Sequence, residues 1–134
     1  MIVVDASAIV AILMREPECA SLMAALERAE DAATSPIAVY EAALGVQRKR
    51  HCSVAEAEAD VMDFLSAARV RVAPIERGTA HDGLAAFSRY GKGTRHPAQL
   101  NLGDCFAYAQ AKSSGAALLF KGDDFARTDV EAAR

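Results

Sequence analysis

The chain has 134 residues, enough for one domain with a real core and not for two. Its residues are 52% hydrophobic and 25% charged, the balance of a soluble globular protein, and the longest apolar run, Ala6 to Met14, is far too short to span a bilayer. A formal charge of -3 sets aside binding to nucleic acid through a basic surface alone, so any such role must use local basic patches or metal held by carboxylates. No basic region precedes the first apolar stretch, and Asp5 interrupts it, which reads against a signal peptide and makes the cytoplasm the expected location. The three cysteines, Cys19, Cys52 and Cys105, and the three histidines, His51, His81 and His96, are scattered, with no C-x-x-C pair and no zinc spacing.

In chain order, Ile2-Val3-Val4 is a short β-branched run of the kind found in strands buried on both faces. Ser7 to Met14 reads as a helix with Ile9, Val10, Leu13 and Met14 on one side, and Pro17 opens a second carrying Cys19, Leu22, Met23 and Leu26. A short strand is expected within Asp31 to Thr34. Ser35-Pro36 is a helix start with a hydroxyl cap and proline at the first position, leading to about Arg48. Ser53 opens another helix, with Val54, Ala57, Val61, Phe64 and Leu65 aligned. Val70-Arg71-Val72 predicts a strand, and Thr79 to Tyr90 a helix with Leu84 and Phe87 inward. After the loop Gly91 to Pro97, Asn101 caps a helix with Leu102, Cys105, Phe106 and Ala109 at helical spacing, ended by Gly115. Ala116 to Phe120 reads as a buried strand, Asp123-Asp124-Phe125 as a turn, and the tail near Val130 as an edge strand. Strands alternating with crossover-length helices predict a three-layer α/β/α domain over residues 1–134, with a central parallel sheet of four to five strands.

Ligands of open parallel sheets bind beyond the carboxyl ends of the strands. Asp5 follows the first strand and Asp123 lies three residues beyond Phe120, while Asp104 lies in the first turn of its helix and Glu41 in the second turn of the helix opened by Ser35. Each aspartate also has a capping explanation: Asp5 for the first helix, Asp104 with Asn101 in a capping box, Asp123 for the terminal turn. Glu41 can equally be a boundary residue of an amphipathic helix. Jointly, four carboxylates on one edge repel each other, raise their pKa values and welcome a divalent cation. Oxygen donors without His or thiolate favour magnesium or manganese (Mg2+ or Mn2+) over zinc, and such ions support phosphoryl transfer.

Four stretches in this order, Asp5-Ala6-Ser7, Ser35-Pro36-Ile37-Ala38-Val39-Tyr40-Glu41, Leu100-Asn101-Leu102-Gly103-Asp104-Cys105 and Leu118-Leu119-Phe120-Lys121-Gly122-Asp123-Asp124-Phe125, resemble the PIN domain, and within it the VapC ribonuclease toxins. The resemblance spans nearly the whole chain. It implies Asp5, Glu41, Asp104 and Asp123 as metal-binding catalytic acids, with Ser7 orienting a carboxylate or water and with Asn101 and Asp124 in support. It implies RNA cleavage leaving a 5′-phosphate, a requirement for magnesium or manganese, a VapB-like antitoxin that sets a basic side chain among the acids, and a homodimer. Many members have Thr two residues before the last aspartate, where this chain has Lys121. That leaves Asp123 ranked ahead of Asp124 but not separated from it.

For the substrate, Lys92, Arg95 and His96 precede the Asp104 helix and are positioned to reach phosphates, though an ordinary solvated loop has the same composition. Arg48-Lys49-Arg50 reads as cations complementing a helix C-terminus. With no Trp and few aromatics, no base-stacking platform is evident. Two other functions fit a strand-end aspartate: an aspartate-nucleophile phosphatase or phosphoacceptor, against which Ser7 replaces the second acid of Asp-x-Asp, and a catalytically silent module with structural metal.

Overall fold

The computed structural model describes residues 1–134, in which four parallel strands form one sheet of order β3-β2-β1-β4. The strands are β1 (Ile2–Val4), β2 (Ala32–Thr34), β3 (Val70–Val72) and β4 (Ala117–Leu119). Each is three residues long, and register pairs Val3 with Ala33 on one side and Leu118 on the other. Val3, Val4, Ala32, Ala33, Leu118 and Leu119 are buried, because a strand with parallel neighbours and helices on both faces has no solvated side. The tail adds a single bridge, Leu118 to Ala132, in place of the edge strand expected near Val130.

The helices are α1 (Ala6–Leu13), α2 (Cys19–Arg28), α3 (Pro36–Arg50), α4 (Val54–Ala67), α5 (Arg77–Tyr90) and α6 (Leu102–Ser114), with a 3-10 turn at Phe125–Arg127. They divide into two cores. Val4, Ile9, Ile12, Leu22, Val46, Val61 and Leu65 pack on one side of the sheet, and Val3, Tyr90, Leu100, Cys105, Tyr108 and Leu118 on the other. This is the three-layer α/β/α architecture.

Four apolar residues depart from their expected burial. Val54, at the start of α4, is 53% exposed, Leu84 70%, Phe87 44% and Leu102 67%. In α5 the inward positions are Gly83, Ala86 and Tyr90, because α5 lies close against α6 and small residues permit that approach: the Phe106 ring of α6 sits over Gly83. Leu102 opens α6 at the sheet's carboxyl edge, where no layer covers it.

Local chemistry sets the helix starts that matter for function. The Ser35 hydroxyl accepts the Ala38 N–H at 3.1 Å, and Pro36 follows at the first helical position. Asn101 and Asp104 satisfy each other reciprocally: the Asn101 side chain accepts the Asp104 N–H at 2.9 Å, and Asp104 Oδ2 accepts the Asn101 N–H at 3.0 Å. Gly115, at φ 62°, closes α6 in the left-handed conformation that glycine tolerates.

Candidate active site

The chain leaves β1 for β2 on one side, while β4 lies on the other, so the strand order reverses between β1 and β4. Crevices at such reversals, outside the carboxyl ends of the strands, are where α/β sheets bind ligands. Asp5 stands there, buried, as the N-cap of α1. Its Oδ2 accepts both the Ser7 N–H at 3.0 Å and the Ser7 hydroxyl at 2.6 Å. The Ser7 Oγ in turn accepts the Lys121 N–H at 3.0 Å, which ties the exit of β4 to the acid at the exit of β1. Burial pushes the Asp5 carboxyl above the ordinary range, and the Ser7 bonds oppose that rise.

Glu41 and Asp104 join Asp5 on the wall of one cleft of about 540 Å³. Glu41 is raised to about 7, by burial first and then by the charges of Asp5 and Asp104. Asp104 is raised to about 6, again by burial first, with the bond from Asn101 pulling the other way and the charges of Asp5 and Asp124 adding to the rise. Capping and convergence are therefore not alternatives: both cap bonds of Asp104 and Asp5 described above go to Oδ2. One helix start contributes Asp104, another contributes Glu41, and the strand end contributes Asp5.

Of the two acids after β4, Asp124 is the one whose charge acts on Asp104, although the sequence ranks Asp123 first. Both are exposed and neither lines the cleft; the turn at Phe125–Arg127 that follows them is anchored by buried Phe125 against Phe120. Lys92, Arg95 and His96 do not line the cleft. Their loop folds back on itself, with His96 edge-on to Tyr90 at 4.7 Å and Arg127 donating to the Pro97 carbonyl at 3.0 Å.

The positive charge on the cleft wall comes instead from Arg48, Lys49 and Lys121. Glu16 holds two of them, accepting from Lys49 at 2.6 Å and from Lys121, whose ammonium also lies 3.5 Å from Glu18. Arg48 and Lys49 share the Glu41 face of α3, seven and eight residues along, together with Leu44 and Gly45. That spacing was available in the sequence, where the helix-dipole explanation competed with it.

Gly103 is a further residue the sequence did not single out. A methyl group built at its Cα would overlap the Glu41 carboxylate, so the absence of a Cβ at Gly103 is what leaves room for that carboxylate in its present position. The signal was a glycine in a first helical turn beside an acid, a position where helix propensity argues for anything else.

Three carboxylates from a strand end and two helices, with the charge of Asp124 acting on Asp104 and cations lining the same cleft, define an α/β protein whose site is built to share negative charge with a ligand of opposite sign. A family model described as PIN domain matches residues 2–131. VapC ribonuclease R02377 of Rhizobium meliloti (strain 1021) is 41% identical over 138 residues, covering 95% of this chain and 97% of that protein. Ribonuclease VapC30 of Mycobacterium tuberculosis (strain ATCC 25618 / H37Rv) is 41% identical over 128 residues, covering 96% and 95% respectively. The crystal structure of Mycobacterium tuberculosis VapC20, described as a sarcin-ricin loop cleaving toxin, superposes with a TM-score of 0.75 over all of both chains at 18% identity, a likeness of fold. The chain belongs to the PIN domain family, in its VapC ribonuclease branch.

Proposed function

We propose that this protein is a divalent-metal-dependent endoribonuclease of the cytoplasm, the toxin of a toxin–antitoxin pair, restrained by a VapB-like antitoxin and working as a homodimer. Family membership supports the ribonuclease and toxin reading. The single structural observation that carries the chemistry is the convergence of Asp5, Glu41 and Asp104 on one cleft, where burial first and neighbouring carboxylates second push Glu41 and Asp104 above the ordinary carboxylate range. Like charges held together at that cost are what a cation relieves.

The donor set fits a hard cation. It is all carboxylate, and no three His, Cys, Asp or Glu side chains close a coordination shell by themselves. Magnesium suits such an open arrangement, because it keeps several waters and is held through one or two carboxylates together with substrate phosphate. Asp5, Glu41 and Asp104 would hold the ion, with Asp124 as the fourth acid in preference to Asp123. When bound, magnesium or manganese supplies charge neutralisation at the phosphate and a more acidic water.

The chain's own residues do the rest. Ser7 fixes the Asp5 carboxylate through two bonds to one oxygen, and the Asn101 backbone N–H fixes that of Asp104 through one. Without an ion Glu41 is raised to about 7, so binding of a cation near neutral pH would displace a proton from it. Arg48, Lys49 and Lys121 line the wall where the RNA backbone would run. Lys92, Arg95 and His96 stay outside that wall, and any role for them in binding RNA is at a distance from the acids.

The test is cleavage of total bacterial RNA by the purified protein in magnesium, repeated with chelator and with Asp104→Asn. Cleavage is expected only from the parent protein with metal. Equal cleavage in all three samples would remove the catalytic assignment.

A further inference from the structure

The acids can cut a phosphodiester but cannot tell one nucleotide from another, so some neighbouring surface must meet the base. A second recess, contiguous with the acid cleft, is lined by Pro36, Ile37, Tyr40 and Glu41 of α3 and by Asn101, Leu102 and Gly103 at the start of α6. Tyr40, Glu41 and Asn101 belong to both recesses. Tyr40 is 68% exposed and Leu102 67%, and they are the exposed large apolar side chains that share a recess with a cleft carboxylate. The Tyr40 hydroxyl makes no hydrogen bond within the chain and its ring stacks on no other ring, whereas Tyr90 and Tyr108 are buried and bonded to Asp129.

Isolated apolar residues on a surface need no explanation. Here two of them stand where the starts of α3 and α6 come together, beside the carboxylate that Gly103 admits. The rest of that face of α3 runs from Tyr40 through Leu44 to Arg48, one helical turn at a time, so an aromatic platform and a phosphate-binding cation stand at opposite ends of the acid cleft. A polynucleotide offers a flat apolar base and an anionic backbone on every unit. Single-stranded RNA is recognised by laying splayed bases on aromatic side chains.

We propose that Tyr40, with Leu102 beside it, is the nucleobase subsite of this centre: the base next to the cut phosphate of single-stranded RNA lies flat on the Tyr40 ring while the backbone passes toward Arg48. The proposal rests on the ribonuclease reading above. Tyr40 contacts substrate without handling the reacting atoms, so its loss acts on KM and on base preference and leaves kcat little changed.

The chain contains no tryptophan, so Tyr40→Trp in the Asp104→Asn background installs a single reporter at the subsite. With magnesium present, polyadenylate is expected to quench its emission saturably, and inorganic polyphosphate, which offers charge without bases, is not. In the cleavage-competent protein, Tyr40→Ala is expected to raise KM roughly 5- to 150-fold, the range of one base stack, while Tyr40→Phe and Tyr40→Trp stay near the parent. Emission unmoved by polyadenylate, or Tyr40→Ala cleaving with parental KM, overturns the subsite and leaves the nuclease standing. So does a change of sedimentation coefficient on Tyr40→Ala, which would mean that a second copy of the chain covers the ring. A parent protein that fails to cut RNA in magnesium sinks the ribonuclease reading itself and this proposal with it.

Discussion

Gly103→Ala separates stability from activity at one methyl group. The backbone at Gly103 needs no left-handed conformation, and the residue is buried at the second position of α6. Alanine in a helix is better than glycine by about 0.5–1 kcal/mol. Against that gain, the new Cβ overlaps the Glu41 carboxylate, which is the end of a flexible side chain and can swing away at little cost. Moving it also relieves Glu41 of the charges of Asp5 and Asp104. The expected balance is a protein as stable as the parent, or up to about 1 kcal/mol more so, in which Glu41 no longer sits among the acids. Displacements of about 1 Å in a reacting group can cost on the order of 100-fold in rate, so cleavage should fall by at least that much. Gly78→Ala is the matched control: it occupies the same position of α5, and a methyl there meets nothing. Urea denaturation of both variants, a cleavage assay, and carboxyl-carbon NMR following Glu41 complete the test. Full activity in Gly103→Ala, or a loss of activity accompanied by unfolding, would refute the reasoning, as would a Glu41 pKa that stays near that of the parent.

The two acids after β4 make a paired prediction: Asp124→Asn should lower the Asp104 pKa and reduce cleavage on the order of 10-fold, while Asp123→Asn should do neither, as read by NMR titration and initial rates. The pH dependence of stability has a fixed sign. Glu41 rises from 4.5 to about 7 and Asp104 from 3.8 to about 6 on folding, so between those limits the folded protein binds more protons than the unfolded chain, and stability without metal falls as pH climbs from about 4 to about 7. Because both groups are partly solvated, the total is on the order of 1–3 kcal/mol. Thermal melts in chelator should show it, and magnesium should restore Tm near neutral pH while doing little at about pH 5, where the acids hold their protons. A metal-free Tm that rises over that interval would contradict the assigned shifts.

The alternation of short β-branched runs with capped helices was legible along the chain because its signals are local. Ser35-Pro36, Asn101 with Asp104, and Gly115 each act within one turn of helix, and they stand where they were expected. The weakest expectation, the strand near Asp31 to Thr34, lies between β1 and β3. Its alanines carry little β preference, and what makes them a strand is the two partners that supply hydrogen bonds on both sides. In α5, apolar spacing pointed to Leu84 and Phe87, and the close approach of α6 selected Gly83 and Ala86 instead.

By itself, the sequence determined that Asp5 stands at the end of a strand, Asp104 in the first turn of a helix and Glu41 in the second turn of another, since caps and strand ends are written in neighbouring residues. Only the tertiary structure decided which of the acids feel one another, that Asp124 rather than Asp123 acts on Asp104, and that Arg48, Lys49 and Lys121 rather than the 91–97 loop line the cleft. Charge interactions depend on distance through space and on the water removed between groups, and neither quantity exists until helices from distant parts of the chain have packed against the same sheet.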